Sequence, residues 1–233
     1  MTLKALIFDV DGTLAETEET HRAAFNATFA ARGLDWHWSR DAYRELLKTG
    51  GGKERLRAFQ AALPEDARLS DDDIVRLHTE KTALFGEMVA KGDLSLRPGI
   101  EDLVQLAREA ELKLAIATTT SRPNVEALTR ACWGRAAGDI FDVIASGDEV
   151  ARKKPDPEIF QLALSRLGLP PRDCLAIEDS RIGLLSALGA GLPVVVTPSL
   201  YTADEDHAGA AQRVPTLERR HWPPMLKATL LAH

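Results

Sequence analysis

Short apolar runs alternate along the chain with longer stretches in which apolar residues recur at every third or fourth position. The short runs are apolar at nearly every position, as expected for strands that are buried on both faces of a parallel sheet. Each run is followed by a polar turn. The predicted strands cover residues 4–10, 113–118, 143–146, 174–178 and 193–197.

The stretches between the later strands have the spacing of amphipathic helices, and several begin with a proline close to the first turn. Strands that alternate with helices predict an α/β fold, in which a Rossmann-like parallel sheet carries helices on both faces. The predicted crossover helices cover residues 99–109, 123–131, 157–167 and 181–189.

A long insertion follows the first predicted strand, because roughly eighty residues separate that strand from the helix that begins near Gly99. The insertion has helical periodicity and no convincing strand, so we predict an all-helical cap domain over residues 15–96. Residues 1–14 and 97–233 would then form the α/β core. The tail after Tyr201 is rich in proline and charge, which predicts surface helix and loop. Within the cap, the helical patterns cover residues 18–32, 41–49, 53–62 and 71–91.

Composition and charge narrow the class of protein. The chain has 233 residues, of which 45% are hydrophobic and 27% charged, so it can bury a full core and fits one domain with a sizeable insertion. The formal net charge of -6 argues against a protein that binds nucleic acid or anionic membranes. An anionic substrate must therefore meet locally placed positive charge.

The chain carries no pattern for export or membrane insertion. No apolar run approaches the ~20 residues that a membrane span needs, and the first apolar run begins without a signal-peptide pattern. The two cysteines, Cys132 and Cys174, lie outside any C-x-x-C spacing and are expected to be reduced. We therefore expect a cytoplasmic protein, and the compact single-core plan favours a monomer.

Polar side chains follow the carboxyl ends of four predicted strands, where open parallel sheets bind their ligands. After the first strand, Asp9 and Asp11 are two residues apart, so in an extended chain their carboxylates lean to the same side. One carboxylate of such a pair can attack phosphorus while the other protonates the leaving oxygen and later activates water. The other strand ends carry Thr118, Thr119, Thr120, Lys153, Lys154, Glu178 and Asp179.

Several carboxylates cannot meet a phosphate unaided, because two ionised groups about 4 Å apart repel by roughly 4 kcal/mol at an effective dielectric near 20. A hard divalent cation would remove that repulsion, and all-oxygen ligation favours Mg²⁺ over zinc. An isolated Asp-x-Asp-Gly run also fits a calcium loop, but Ala15 breaks the alternation of oxygen ligands that such a loop needs. Lys154 would supply further positive charge. The candidate Mg²⁺ ligands are Asp9, Asp11, Glu178 and Asp179.

Together these residues resemble the four motifs of the haloacid dehalogenase-like hydrolases, and the match spans most of the chain. The resemblance implies that Asp9 is the nucleophile and that Asp11 is the acid and base. It implies that Thr118 binds the transferring phosphoryl group, that Lys154 neutralises this group, and that the final acidic pair serves the metal. The motifs are Asp9-Val10-Asp11-Gly12-Thr13, Thr118, Lys154-Pro155 and Glu178-Asp179.

A closer resemblance covers nearly the whole chain and is to the CbbY-type proteins, which are sugar-bisphosphate phosphatases associated with the Calvin cycle. It implies xylulose 1,5-bisphosphate as the substrate and xylulose 5-phosphate as the product. The segments that carry it are residues 13–19, 49–55, 117–121, 123–127 and 153–155. The implied substrate contacts are Glu18, Gly51, Gly52, Lys53, Glu54, Arg55, His78, Lys81, Thr118, Thr119, Thr120, Ser121, Asn124 and Lys154.

Several cap residues have two interpretations. The glycines at 50–52 fit a flexible connector, or a helix N-terminus that holds a second, non-reacting phosphate together with Lys53 and Arg55; the two cations favour the phosphate site. His21 fits either substrate orientation or packing at the cap interface. Tyr43 fits either packing or a hydroxyl contact to a sugar oxygen, so both residues are kept as candidate substrate contacts.

Arg122 departs from the CbbY-type pattern, in which an uncharged residue is expected at this position. A guanidinium there could tighten bisphosphate binding or face solvent, and we favour solvent. Trp36 and Trp38 are predicted to pack inside the cap rather than to stack on substrate.

The sequence thus predicts a Mg²⁺-dependent phosphatase that acts on a small sugar phosphate through an aspartyl phosphate on Asp9. One alternative is a β-phosphoglucomutase-like mutase, which protects the aspartyl phosphate from water until a second sugar hydroxyl accepts the group. Others are a phosphatase for another small phosphate, such as phosphoglycolate, and a non-catalytic sugar-phosphate sensor. The intact set of Asp9, Asp11, Lys154 and Asp179 speaks against the sensor.

Overall fold

A parallel β-sheet forms the centre of the molecule. The computed structural model describes residues 3–92 and 94–231. The strands in this part of the chain are β1 (Ala5–Phe8), β2 (Lys113–Ala117), β3 (Val143–Ala145), β4 (Cys174–Glu178), β5 (Val194–Val196) and β6 (Gln212–Arg213). They lie in the order β3-β2-β1-β4-β5-β6, and all neighbours are parallel. The predicted Rossmann-like α/β class is confirmed.

Helices cover the sheet and form the inserted cap. The helices are α1 (Glu18–Ala31), α2 (Arg40–Leu46), α3 (Gly52–Gln60), α4 (Asp71–Lys91), α5 (Ile100–Glu109), α6 (Arg122–Trp133), α7 (Glu158–Leu167), α8 (Arg181–Gly189) and α9 (Pro224–Leu230). The first four lie between β1 and α5, where the sequence predicts the cap. Among the described residues, none of these helices has both the length and the apolarity that crossing a bilayer requires.

Serine side chains fix where three helices begin. Ser39 accepts a hydrogen bond from a backbone N–H in the first turn of α2, and Ser70 does the same for α4. Ser180 accepts from the Gly183 N–H at 3.3 Å and so starts α8 directly after Asp179. The hydrogen bond to Ser180 therefore starts α8 and ends the extended chain just beyond Glu178 and Asp179, at the carboxyl edge of the sheet.

The sheet separates two apolar layers, because successive residues of a strand point to opposite faces. On β1, Leu6 and Phe8 pack in the layer that contains α5 and α6. Ala5 and Ile7 pack in the layer that contains α7 and α8. The cap has its own apolar cluster, formed by Phe25, Phe29, Trp38, Tyr43, Leu56, Ile74 and Leu77. Both faces of the sheet are therefore covered, and the carboxyl edge faces the cap.

Two linkers join the cap to the core, and they pair with each other. Ala15 forms an antiparallel bridge with Leu96. The Arg97 N–H donates to the Leu14 carbonyl at 2.8 Å. The two chain crossings between cap and core thus lie side by side at a single hinge, close to the end of β1.

The tail after Tyr201 differs from its prediction as surface helix and loop. β6 extends the sheet beside β5, and Val214, Leu217, Trp222 and Leu226 are all buried. These apolar residues are separated by prolines and charges, so they show no helical or strand period in the sequence, yet they close the layer that contains α5. The tail is part of the core.

Replacing Leu226 with alanine is expected to lower the free energy of unfolding by roughly 2–5 kcal/mol, because the side chain is buried completely and its loss leaves a cavity. Leu231→Ala is the matched control, since Leu231 is 45% exposed and should change stability by about 0.5 kcal/mol or less. Urea unfolding of both variants measures the difference. Equal midpoints would show that the tail does not contribute to the core.

Candidate active site

The carboxyl ends of β1, β2 and β4 meet below the cap and bring the predicted residues together. β1 lies between β2 and β4, so the direction of the chain through the sheet reverses at β1. Such a reversal leaves a crevice at the carboxyl edge, where α/β proteins bind their ligands. Asp9 and Asp11 follow β1, Thr118 follows β2, and Asp179 follows β4. One pocket between core and cap contains all four residues.

Lys154 lies at the base of this pocket, with only 3% of its surface exposed. Its ammonium donates to Asp9 Oδ1 at 2.7 Å, to Glu178 Oε1 at 2.5 Å and to the Ala117 carbonyl at 2.8 Å. Burial alone would lower the pKa of Lys154, but the negative charges of Asp9 and Glu178 raise it well above its usual value. Lys154 is therefore a permanently charged group that fixes one oxygen of Asp9.

The carboxylates of Asp9, Glu178 and Asp179 have oxygens within 4.8 Å of one another, and all three residues are buried. Burial raises the pKa of each carboxyl group, and raises that of Glu178 to about 7. One ammonium cannot balance three carboxylates, and the donor set consists only of oxygen. These features fit a hard divalent cation such as Mg²⁺.

Gly12 is required for the approach of Asp179 to the end of β1. A Cβ atom at position 12 would lie 2.3 Å from Asp179 Oδ2, and the Gly12 φ of +82° is one that residues with side chains rarely adopt. The Asp179 carboxylate occupies the space that a side chain at position 12 would fill. Gly12 thereby lets the Asp-x-Asp-Gly turn and the second acidic pair share one site.

The Asp11 carboxylate is not part of the acidic group that could hold a metal and is bound by residues of the cap side instead. Its Oδ1 accepts a hydrogen bond from Thr17 Oγ1 at 2.6 Å and lies 3.0 Å from His21 Nε2. On the other side of the imidazole, Lys81 Nζ is 2.6 Å from His21 Nδ1. If Lys81 donates there, His21 carries its proton on Nε2 and donates to Asp11. The Asp11 side chain is thus held by the cap, and the predicted role for it in metal binding has no support from the position of its carboxylate.

Burial and neighbouring charge set the protonation of this row of residues. Burial alone would raise the pKa of Asp11, but His21, Thr17 and Lys81 together lower it below its usual range. Burial lowers the pKa of His21 to about 4, and the Lys81 charge adds to this effect. Burial also lowers the pKa of Lys81 to about 7. His21 is therefore neutral, and its ring stacks on Phe85 with centroids 3.8 Å apart.

The loop from β2 to α6 offers polar groups to the reacting end of the pocket. The backbone N–H of Thr120 donates to Thr118 Oγ1 at 3.1 Å, and Asn124 Nδ2 donates to Thr120 Oγ1 at 2.9 Å. Ser121 Oγ and Asn124 Oδ1 are buried and have no hydrogen-bond partner among the residues that the structure describes. Buried polar atoms without partners are costly. These two atoms are therefore candidates to bind a ligand.

The cap closes the opposite side of the pocket through the glycines that precede α3. A Cβ on Gly50 would lie 2.3 Å from the Lys154 carbonyl oxygen, and one on Gly52 would lie 2.4 Å from His78 Nε2. Glycine at position 50 lets the cap approach the core this closely, and glycine at position 52 lets α3 pack against His78 of α4 within the cap. The pocket residues that the cap supplies here are Gly51, Gly52, Lys53, Glu54, Arg55, His78 and Lys81.

Tyr43 does not line the pocket, so the interpretation of a sugar contact is not supported by its position. The side chain is fully buried in the cap cluster. Its hydroxyl donates to Glu18 Oε2 and accepts from the Arg55 guanidinium, both at 2.8 Å. Other aromatic rings surround the Tyr43 ring, as the packing interpretation predicts. Tyr43 instead holds two residues that do line the pocket.

The structure brings nearly all other predicted residues to this one pocket. Glu178 lies beneath it, fully buried against Lys154. Arg122 does not line the pocket; its side chain is exposed and pairs with Glu126, so it faces solvent. Two site residues carry no signal in the sequence: Thr17, which binds Asp11, and Thr202, which binds Asp179. Further lining residues that the sequence did not indicate are Phe25, Leu47, Gly147, Asp148, Ser180, Ile182 and Glu205.

Comparison with known proteins identifies the family. The family model described as haloacid dehalogenase-like hydrolase matches residues 3–191. The chain belongs to the haloacid dehalogenase-like hydrolases. This hydrolase is 56% identical to protein CbbY of Rhodobacter capsulatus over 220 residues, which cover 93% of this chain and 95% of that protein. It is 32% identical to a phosphorylated carbohydrates phosphatase of Thermotoga maritima over 190 residues, which cover 82% of each chain.

A solved structure is similar over almost the whole hydrolase. The crystal structure of a CbbY variant from Rhodobacter sphaeroides, in complex with xylulose 1,5-bisphosphate, superposes with a TM-score of 0.90 at 52% sequence identity. The superposition covers 94% of this chain and 96% of that one. The hydrolase is therefore a phosphatase of the CbbY type, with a helical cap above a haloacid dehalogenase-like core.

Proposed function

We propose that this phosphatase hydrolyses xylulose 1,5-bisphosphate to xylulose 5-phosphate in a Mg²⁺-dependent reaction that passes through an aspartyl phosphate on Asp9. The observation that carries the proposal is a single pocket with reactive carboxylates at the core end and Lys53 and Arg55 at the cap end. A bisphosphate could place one phosphate at each end. The similarity to a CbbY that is bound to this sugar supports the same substrate.

In the proposed first step, an Asp9 carboxylate oxygen attacks phosphorus and the bond from phosphorus to the sugar oxygen breaks. Lys154 holds Asp9 Oδ1 and supplies positive charge beside the transferring group. The hydroxyl of Thr118 and the unpartnered Ser121 Oγ would donate to its equatorial oxygens. Both hydroxyls can rotate toward a phosphate without moving the backbone.

Asp11 is proposed to give its proton to the departing sugar oxygen and then to take one from the water that attacks the aspartyl phosphate. Without substrate, the pKa of Asp11 lies below its usual range. A phosphate dianion beside the carboxyl raises that pKa, because the ionised form is then repelled. Thr17 and His21 hold the carboxyl in one orientation for both proton transfers.

Asp9 and Asp179 would hold Mg²⁺, with Glu178 close enough to contribute. When bound, the ion neutralises the excess carboxylate charge and polarises the phosphoryl group. We propose that the enzyme acts as a monomer, since one chain can supply both the core end and the cap end of the pocket.

A phosphate-release screen tests the proposed substrate. The panel is xylulose 1,5-bisphosphate, ribulose 1,5-bisphosphate, phosphoglycolate, fructose 6-phosphate and glucose 1-phosphate, each with Mg²⁺ and with EDTA. We expect the highest kcat/KM for xylulose 1,5-bisphosphate and no turnover with EDTA. Similar values across the panel would contradict the substrate assignment. Formation of glucose 6-phosphate without free phosphate would identify a mutase instead.

Lys53→Ala is expected to lower kcat/KM for xylulose 1,5-bisphosphate by roughly 10- to 100-fold, because a charge-assisted hydrogen bond to the second phosphate is lost. Hydrolysis of p-nitrophenyl phosphate, which has no second phosphate, should be nearly unchanged. Lys48→Ala is the matched control, since Lys48 is an exposed cap lysine paired with Glu45. If Lys53→Ala lowered kcat/KM equally for both substrates, the assignment of Lys53 to the distal phosphate site would be wrong.

A further inference from the structure

A segment that follows β5 connects the cap to the carboxylates of the core. Residues 198–202, which we call the strap, follow β5 and lead to Thr202, which lines the pocket. The strap begins at a fixed point, because the Arg97 guanidinium donates to the carbonyls of Thr197 and Pro198, each at 2.7 Å. Arg97 itself lies at the hinge between cap and core.

One part of the strap packs against the cap and forms hydrogen bonds with it. Tyr201 belongs to the core by sequence, yet its ring packs against the apolar cluster of the cap. The ring meets Tyr43 edge to face, with centroids 5.8 Å apart. The Tyr201 hydroxyl donates to Glu19 on α1. The Leu200 carbonyl accepts a hydrogen bond from Arg44 on α2. The position of Tyr201 therefore depends on where the cap lies.

The next residue of the strap holds a carboxylate of the active site. Thr202 is 5% exposed, and its Oγ1 lies 2.8 Å from the Asp179 carbonyl oxygen and 3.1 Å from Asp179 Oδ2. The backbone N–H of Ser199 donates to the same Thr202 oxygen at 2.9 Å, which fixes the hydroxyl. Its single proton can be donated to either oxygen of Asp179. Thr202 thus orients Asp179 at the base of the pocket.

We propose that Tyr201 and Thr202 are positioning residues through which closure of the cap orients Asp179 for Mg²⁺. Tyr201 contacts the cap, and Thr202 holds the Asp179 carboxylate. Because a single peptide unit joins the two residues, a displacement of Tyr201 also displaces Thr202. The coupling is reciprocal: if the cap contact favours Mg²⁺ binding, bound Mg²⁺ favours the cap contact to the same extent. This inference rests on the proposed use of Mg²⁺ but not on the identity of the sugar.

The test is the Mg²⁺ dissociation constant, measured by isothermal titration calorimetry without substrate. Thr202→Val removes the hydroxyl at constant shape and should weaken Mg²⁺ binding by roughly 10- to 100-fold, the usual cost of losing a group that orients a metal ligand. Thr202→Ser should restore binding to near the parent value. Thr216→Val is the matched control, since Thr216 bonds to Glu218 and His221 in the tail.

Tyr201→Ala tests the link to the cap, because Tyr201 makes no hydrogen bond to Asp9, Glu178 or Asp179 in the described structure. We expect it to weaken Mg²⁺ binding roughly tenfold, and to add little when combined with Thr202→Val, since both changes act through one path. Thermal unfolding of each variant identifies any loss of fold. If Tyr201→Ala does not fold, Tyr201→Phe keeps the ring against Tyr43 and removes only the hydrogen bond to Glu19; parent-like Mg²⁺ binding by this variant would exclude that bond from the link.

Parent-like Mg²⁺ binding by Thr202→Val would overturn the positioning role of Thr202. Weak binding by Thr202→Val together with parent-like binding by Tyr201→Ala, or additive effects in the double variant, would overturn the link to the cap. If the parent failed to hydrolyse xylulose 1,5-bisphosphate but the expected Mg²⁺ results were obtained, the substrate assignment would be rejected. The positioning role of Tyr201 and Thr202 would still be supported. A parent that binds no Mg²⁺ would reject both.

Discussion

Asp9→Asn is expected to lower kcat by roughly 10⁴-fold or more, because an amide cannot attack phosphorus and loss of a nucleophile in covalent catalysis has effects of this size. The fold should survive, since asparagine keeps the Oδ1 atom that accepts from Lys154. Phosphate release under saturating substrate and Mg²⁺ gives kcat, and circular dichroism with thermal unfolding checks the fold.

The matched control for this change is Asp173→Asn. Asp173 lies at the amino end of β4, on the opposite edge of the same sheet, and pairs with the exposed Lys4. We expect this variant to retain the parent kcat. A folded Asp9→Asn enzyme that releases phosphate at a rate similar to the parent would contradict the role of Asp9 as nucleophile.

Lys154→Met is expected to lower both the stability of the enzyme and its turnover by large amounts. Removing the ammonium leaves Asp9 and Glu178 as buried carboxylates without their partner, which is expected to cost roughly 3–5 kcal/mol of unfolding free energy. The transferring phosphoryl group also loses a fixed positive charge, so kcat should fall by roughly 10³-fold. Urea unfolding and phosphate release measure the two effects separately.

A second substitution separates charge balance from catalysis at this position. Adding Glu178→Gln to Lys154→Met should recover part of the lost stability, because one of the unpaired charges is removed, but it should not recover turnover. Lys113→Met is the matched control: Lys113 is an exposed lysine paired with Asp142, and such pairs contribute about 1 kcal/mol or less. If Lys154→Met were no less stable than this control, the buried pair would not hold the site together.

The fold could be predicted because its main strands are buried on both faces and its helices are amphipathic. β4, α4 and α8 have the predicted bounds. The other main strands are shorter than predicted by one or more residues, because Val10 and Thr118 are apolar or β-branched but already belong to the turns. β6 was missed, since a half-buried Gln212 and an exposed Arg213 form a strand only through pairing with β5.

The candidate site could be predicted where chemistry follows a strand directly, as for Asp9, Asp11 and Asp179. It could not be predicted where a side chain reaches the site through tertiary contact. Thr202 lies in a tail without any apolar period, and only the folded chain brings it to Asp179. The two interpretations of Tyr43 could not be separated for the same reason, because the sequence does not reveal that Glu18 on α1 and Arg55 on α3 bind its hydroxyl.

The central claim, that Asp9 forms a covalent intermediate, is tested most directly by rapid acid quench and mass spectrometry of the Asp11→Asn variant reacting with p-nitrophenyl phosphate and Mg²⁺. This substrate has a good leaving group and needs no acid, whereas the later attack by water needs Asp11. We expect a burst of p-nitrophenol ahead of free phosphate, and a phosphoryl group on the peptide that contains Asp9. Simultaneous release of p-nitrophenol and phosphate with no phosphorylated peptide, or a phosphoryl group on another residue, would contradict it.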